Sequence, residues 1–160
     1  MKRSPIILFF VLFLFIGFVS CWAVDPVAAE NHNTQNDSNN NNTLINHMKI
    51  KIGSKTFTAK LYDNATVTAF KDLLPLTLNM DELNGNEKYF HLSTDLPINA
   101  LNPDTIHTGD LMIWGSNSLV LFYKTFSTSY SYTKLGRIED TSGLAEAVGE
   151  GSVTVTFELE

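Results

Sequence analysis

The run from Asp110 to Tyr123, Asp-Leu-Met-Ile-Trp-Gly-Ser-Asn-Ser-Leu-Val-Leu-Phe-Tyr, limits the possible folds of this chain more than any other stretch. Two apolar arms rich in β-branched and aromatic residues flank Gly115-Ser116-Asn117-Ser118. Small polar residues tolerate turn dihedrals, so the pattern predicts a β-hairpin with a four-residue loop. Neither arm alternates apolar with polar residues. A strand that is apolar on both sides must be covered twice, and that predicts a central pair of strands, with a barrel interior on one face and a helix or loop on the other.

The flanking sequence supplies further strands. His47-Met48-Lys49-Ile50-Lys51-Ile52 alternates, Gly53-Ser54 turns the chain, and Lys55 to Leu61 alternates again. This predicts a second hairpin with Met48, Ile50, Ile52, Phe57, Ala59 and Leu61 in the core and the lysines on a solvated face. Asp63 or Asn64 can cap a helix whose face carries Val67, Phe70, Leu73 and Leu74 before Pro75 ends it, and such a helix suits one end of a barrel. Leu76 to Met80 and Lys88 to Leu92 read as strands, Ser93 to Thr108 as mostly loop, Leu144 to Val148 as a short helix, and Ser152 to Leu159 as a closing strand. Eight or so short strands with two helices predict a mainly β fold, a closed barrel.

The N-terminal part has a different composition. Lys2-Arg3 precedes an apolar core that runs from Pro5 to Ser20 and stops at Cys21, the only cysteine. A short positive region, an apolar core and small residues before a cysteine predict a secretory signal over residues 1–21 with a lipobox-like end, Cys21 being the lipidated residue. Cleavage after Ala29 and an uncleaved anchor are the alternatives. Residues 22–46 contain Asn31 to Thr43, a run without an apolar side chain. Such a segment cannot offset chain entropy by burial and reads as a disordered, Asn-rich tether with a reach of ~25 to 30 Å. Residues 47–160 then form the barrel domain. The localisation implied is the cell envelope, with the membrane as partner through an N-terminal lipid.

Residues 47–160 hold nine Lys or Arg against fourteen Asp or Glu, within a chain of formal net charge −6. Nucleic-acid binding needs a cationic face and is not expected. No glycine-rich phosphate loop occurs, the histidines lack metal-ligand spacing, and no cofactor or metal is expected. His107 with Asp110 is the nearest approach to a catalytic dyad, and at that spacing it reads as a structural hydrogen bond. Arg137, the domain's one arginine, follows Phe126, Tyr130 and Tyr132. A cation with aromatic neighbours suits a groove for a peptide or small molecule; pairing of Arg137 with Glu139 or Asp140 at the surface is the alternative.

Several strings in order, Thr56 to Leu74, Gly109-Asp110-Leu111 with its hairpin, Tyr130-Ser131-Tyr132-Thr133-Lys134-Leu135-Gly136-Arg137-Ile138 and Val153-Thr154-Val155-Thr156-Phe157, resemble the bacterial cyclophilin-like domain family. The resemblance spans about Met48 to Leu159 and implies the cyclophilin-like closed barrel, in a family of unsettled activity. In true cyclophilins an arginine, aromatic residues and a glutamine from a characteristic segment form the prolyl isomerase site. That segment is missing here, and no Gln follows Gln35. The missing segment favours ligand binding without turnover, with a diverged peptidyl-prolyl cis-trans isomerase as the alternative, and the resemblance assigns no catalytic residue.

Overall fold

The computed structural model describes residues 46–160. The segment read as an export signal, Cys21 and, apart from Asn46, the segment read as an Asn-rich tether lie outside the described residues. Ten strands and two helices follow in order: β1 (His47–Ile52), β2 (Lys55–Leu61), α1 (Ala65–Lys71), β3 (Leu76–Leu83), β4 (Glu87–His91), β5 (Thr105–Ile106), β6 (Asp110–Trp114), β7 (Ser118–Phe122), β8 (Phe126–Ser127), β9 (Thr133–Ile138), α2 (Leu144–Val148) and β10 (Val153–Leu159). Eight of the strands close into an antiparallel barrel in the order β1-β10-β3-β4-β7-β6-β9-β2, while β5 and β8 pair with each other outside it.

The interior follows from period-2 alternation. Met48, Ile50 and Ile52 of β1 and Phe57, Ala59 and Leu61 of β2 are all buried in the main core, and Lys49, Lys51, Lys55 and Lys60 are exposed. Leu111 and Ile113 of β6 and Leu119 and Leu121 of β7 join the same core. The intervening residues Met112, Val120 and Phe122 point the other way and form a second buried cluster with Ile106 and Tyr132. The central hairpin is thus covered on both sides, by the barrel interior and by the segment carrying β5 and β8. Its loop is one residue shorter than predicted, because Ser118 pairs with Trp114 and its hydroxyl meets His91 Nδ1 at 2.8 Å, which draws it into β7.

Each helix covers a barrel end. Asn64 caps α1, its Oδ1 accepting the Val67 N–H at 2.9 Å, and Phe70 packs edge-on against Phe157 near the end of β10. The helix stops at Lys71, short of the predicted Leu74, and Leu73 and Leu74 form a half-buried turn before Pro75. Helix α2 buries Leu144 and Val148 and leads through Gly149 and Gly151 into the start of β10.

One strand breaks the rule that lysines face water. Lys88 of β4 is fully buried, with its Nζ donating to Glu82 Oε2 at 2.5 Å and to the carbonyls of Gly149 and Gly151 at 2.9 and 2.6 Å. An ammonium has three protons, and all three are used. Tyr123 completes the cluster by donating to Glu82 Oε1 at 2.7 Å. Burial raises the Glu82 pKa, but hydrogen bonds from Lys88 and Tyr123 outweigh it and hold the carboxyl below its ordinary value.

Candidate functional site

The outer face of the barrel carries a cavity of about 550 Å³. Its floor is made by the outward residues of β4 (Glu87, Tyr89 and His91) and of β7 (Ser118 and Val120), with Trp114 of β6 at the edge. Phe126, Ser127, Thr128, Ser129, Tyr130 and Tyr132 form the facing wall, and Leu83, Asn84 and Asn86 of the β3–β4 turn close one end. Strand alternation places every second residue of β4 and β7 on this face.

The wall is held by backbone pairing. Ile106 pairs with Phe126 and Thr105 with Ser127, the Thr128 N–H donates to the Asp104 carbonyl at 2.9 Å, and Leu101 and Tyr132 exchange two backbone hydrogen bonds of 3.0 Å. Phe122, beneath, meets Tyr132 edge-on at 5.5 Å and Phe126 at 5.8 Å. Two aromatic side chains of the wall are therefore seated on the barrel, while Tyr130 and Trp114 remain 64% and 51% exposed at the rim. Large aromatic residues left open beside a concavity are the usual makings of a ligand site.

Three of the five floor residues, Glu87, His91 and Ser118, are polar. Glu87 is 8% exposed, its side chain has no hydrogen-bond or ion-pair partner among the described residues, and it borders the cavity. Desolvation, with the charge of Glu82 nearby, pushes its pKa up to about 7. Close to it the buried Asn86 Oδ1 accepts no hydrogen bond. Burial first, and then the Glu87 charge, raises the Tyr132 hydroxyl above its ordinary value.

Of the residues singled out from the sequence, Phe126, Tyr130 and Tyr132 come together in this wall, whereas Arg137 does not line the cavity. Arg137 Nε donates to Asp110 Oδ1 at 2.5 Å, Nη2 lies 3.2 Å from His107 Nδ1, and the residue borders a separate shallow recess with Lys60, Tyr62 and Glu139. The partner is thus Asp110 across the β6–β9 pairing rather than Glu139 or Asp140, because Asp110 and Arg137 stand opposite each other in register. The hydrogen bond to Asp110 is the main cause that raises the guanidinium pKa further. His107 and Asp110 are joined as expected, the His107 N–H donating to Asp110 Oδ2 at 2.8 Å. Glu87, Tyr89, His91 and Trp114 went unrecognised as site residues. Only the period-2 pattern of β4 placed beside the apolar outer face of the hairpin could have signalled them. No group of three or more His, Cys, Asp or Glu among the described residues is arranged to hold a metal ion.

The closed eight-stranded barrel with its two helices is the fold that the resemblance implied. A family model described as the Cyclophilin-like family matches residues 50–158, and the chain belongs to that family. The hypothetical protein AF2241 from Archaeoglobus fulgidus, known from a solution structure, shares the fold with a TM-score of 0.57 and 21% sequence identity, over 74% of this chain and 97% of that one. None of the curated proteins compared with the sequence matches it.

Proposed function

We propose that the protein is an exported, membrane-anchored cyclophilin-like domain that holds a peptide or small organic molecule in the outer groove without turning it over. The observation that carries this reading is the cavity of about 550 Å³ between β4, β7 and the 126–132 segment, with five aromatic residues along it. That volume falls in the range of small-molecule sites, and the mixture of aromatic surface with polar side chains such as Glu87, His91 and Thr128 suits binding with orientation. The alternative, a diverged prolyl isomerase, requires a donor that polarises the X-Pro amide. Arg137 is engaged by Asp110 and stands apart from the groove, so the alternative has no cation beside the aromatic wall.

Trp114 lines the groove and the other tryptophan, Trp22, lies outside residues 50–158 that match the family, so in a Trp22→Phe protein the emission comes from Trp114 alone. A screen of peptides and metabolites against this full-length chain is expected to give ligands that shift Trp114 emission and raise the melting temperature. Tyr130→Ala, at an exposed wall position, is expected to weaken them at least fivefold. A screen in which nothing binds would leave the barrel a structural role. In a protease-coupled assay, X-Pro isomerisation that disappears in Arg137→Ala would replace binding by catalysis.

The anchoring part of the reading rests on Lys2-Arg3, the apolar core and Cys21. One acyl chain binds a membrane marginally, whereas lipoprotein processing supplies several and gives a stable anchor. Cys21→Ala is expected to move the protein from the membrane to the soluble fraction and to remove the lipid mass. Unchanged fractionation and mass would exclude the anchor.

A further inference from the structure

The groove has a charge asymmetry that its aromatic walls do not explain. A carboxylate is seldom left buried without a partner, because desolvation is costly and pairing or proton uptake relieves it. Glu87 is 92% buried by the same measure that leaves it 8% exposed, has no hydrogen bond or ion pair, and opens onto the cavity. Beside it Asn86 presents a buried Oδ1 with no donor. Glu87 thus brings an acceptor without a donor to a cavity lined by Tyr89, Tyr130 and Tyr132.

The protein's own cations cannot serve Glu87. Lys88 follows it in sequence, yet its three donors are taken by Glu82, Gly149 and Gly151 on the barrel interior. Lys124 stands over the ring of Tyr123 at 5.7 Å and does not line the cavity. Arg137 is held by Asp110. The remaining titratable groups that face Glu87 are Glu82 from β3, Tyr123 after β7 and Tyr132 before β9, which supply no positive charge, and His91 further along β4 bonds Ser118.

We infer that the ligand of this groove is an organic cation, an alkylammonium on an apolar stem such as a lysine side chain or a free alkylamine, whose nitrogen donates to Glu87. The inference rests on the groove being the binding site, and it adds the ligand's chemical class. An ammonium supplies several donors in a compact head, enough for both oxygens of the Glu87 carboxylate. Its stem lies along the aromatic residues, whose π faces attract a desolvated cation. A neutral ligand would leave the Glu87 charge uncompensated, and an anion would be repelled by it.

Proton and ligand compete for the same carboxylate. With a Glu87 pKa of about 7 in the free protein, apparent affinity for the cation rises about tenfold per pH unit below neutrality and levels off above it.

The test uses the full-length Trp22→Phe protein and Trp114 emission at pH 5.5, 6.5 and 7.5. The probes are Nα-acetyl-lysine methylamide, 1,5-diaminopentane, the Nε-acetylated and therefore neutral form of the first probe, and hexanoate. At least one of the two cations is expected to bind, with the stated pH dependence, and to bind at least tenfold more tightly than the neutral analogue and hexanoate. Glu87→Gln, isosteric and expected to fold, should weaken the cations at least tenfold and remove the pH dependence. Preference for the lysine derivative over the diamine would mark a peptide as the source, and the reverse a free amine. Equal or tighter binding of the neutral probe, or cation binding unchanged in Glu87→Gln, would overturn the charge assignment and leave the groove a binding site. If neither cation moves Trp114 emission while ligands from the wider screen do, the assignment also falls; if nothing from either set binds, the groove reading falls with it.

Discussion

Glu87 and Lys88, consecutive on β4, carry opposite charges to opposite sides of the barrel wall and do not neutralise each other. Glu87 pairs in register with Phe122 of the outer cluster and borders the groove, while Lys88 pairs with Leu121 of the interior and is saturated there by Glu82 and two carbonyls. The alternation of a strand separates them. One side chain is saturated inside the fold, and the other is left without a partner at the groove.

The interior charge makes the first prediction. Lys88→Met keeps the volume but leaves Glu82 without its cation and the Gly149 and Gly151 carbonyls without donors. Breaking a buried pair from one side costs about 3 kcal/mol or more. Urea denaturation should show that loss, with Glu82→Gln milder because Glu82 is partly exposed. A Lys88→Met protein as stable as the parent would mean the cluster contributes nothing.

A second prediction concerns pH. The native Glu87 carboxyl holds its proton up to about 7, against an ordinary value of 4.5, so between these values the native state binds more protons than the unfolded chain. Stability therefore falls as pH rises through this window, by an amount on the order of 2 kcal/mol. Glu87→Gln, which stays neutral in both states, should flatten the profile between about pH 4.5 and 7. A profile unchanged by Glu87→Gln would show that the native Glu87 carboxyl titrates as it does in the unfolded chain.

Barrel closure gives a third. Strand β9 crosses β2 with Gly136 opposite Leu61, and a Cβ on Gly136 would lie 2.6 Å from the Lys60 carbonyl oxygen and 3.1 Å from Leu61 Cδ2. The obstacle is backbone that cannot rotate away. Gly136→Ala should cost about 2 kcal/mol, read as a lowered urea midpoint with an unchanged slope. A changed slope would indicate an altered native or unfolded state instead of local strain.

Much of this architecture was legible in the chain. Met48, Ile50, Ile52, Phe57, Ala59 and Leu61 alternate strictly, so their side chains could be assigned to the core, and Asn64 could be read as a helix cap. The double covering of the Asp110–Trp114 and Ser118–Phe122 arms followed from their unbroken apolar character. The groove was half visible, through Phe126, Tyr130 and Tyr132. Glu87 was not, because a charged residue at a strand start ordinarily signals solvent, and its burial depends on the distant 126–132 segment folding over β4. Lys88 was hidden for the same reason, its acceptors at Gly149 and Gly151 lying 61 and 63 residues away. Arg137 was linked to the aromatic residues by nearness in sequence, whereas β pairing sets it opposite Asp110, 27 residues earlier.

That pairing supplies the last prediction. Asp110 is 1% exposed and accepts from the His107 N–H and from Arg137 Nε, so its charge is compensated mainly by the guanidinium. Arg137→Ala should cost about 2 kcal/mol, because a buried carboxylate loses its cation while retaining one backbone donor. Adding Asp110→Asn to it should cost less than the sum of the two single changes, since the residues act through one contact. Groove ligands found by Trp114 emission should bind Arg137→Ala within twofold of the parent, as the residue does not line the cavity. A tenfold loss of ligand binding in a folded Arg137→Ala protein would place the arginine in the recognition machinery after all and make its bond to Asp110 a resting arrangement.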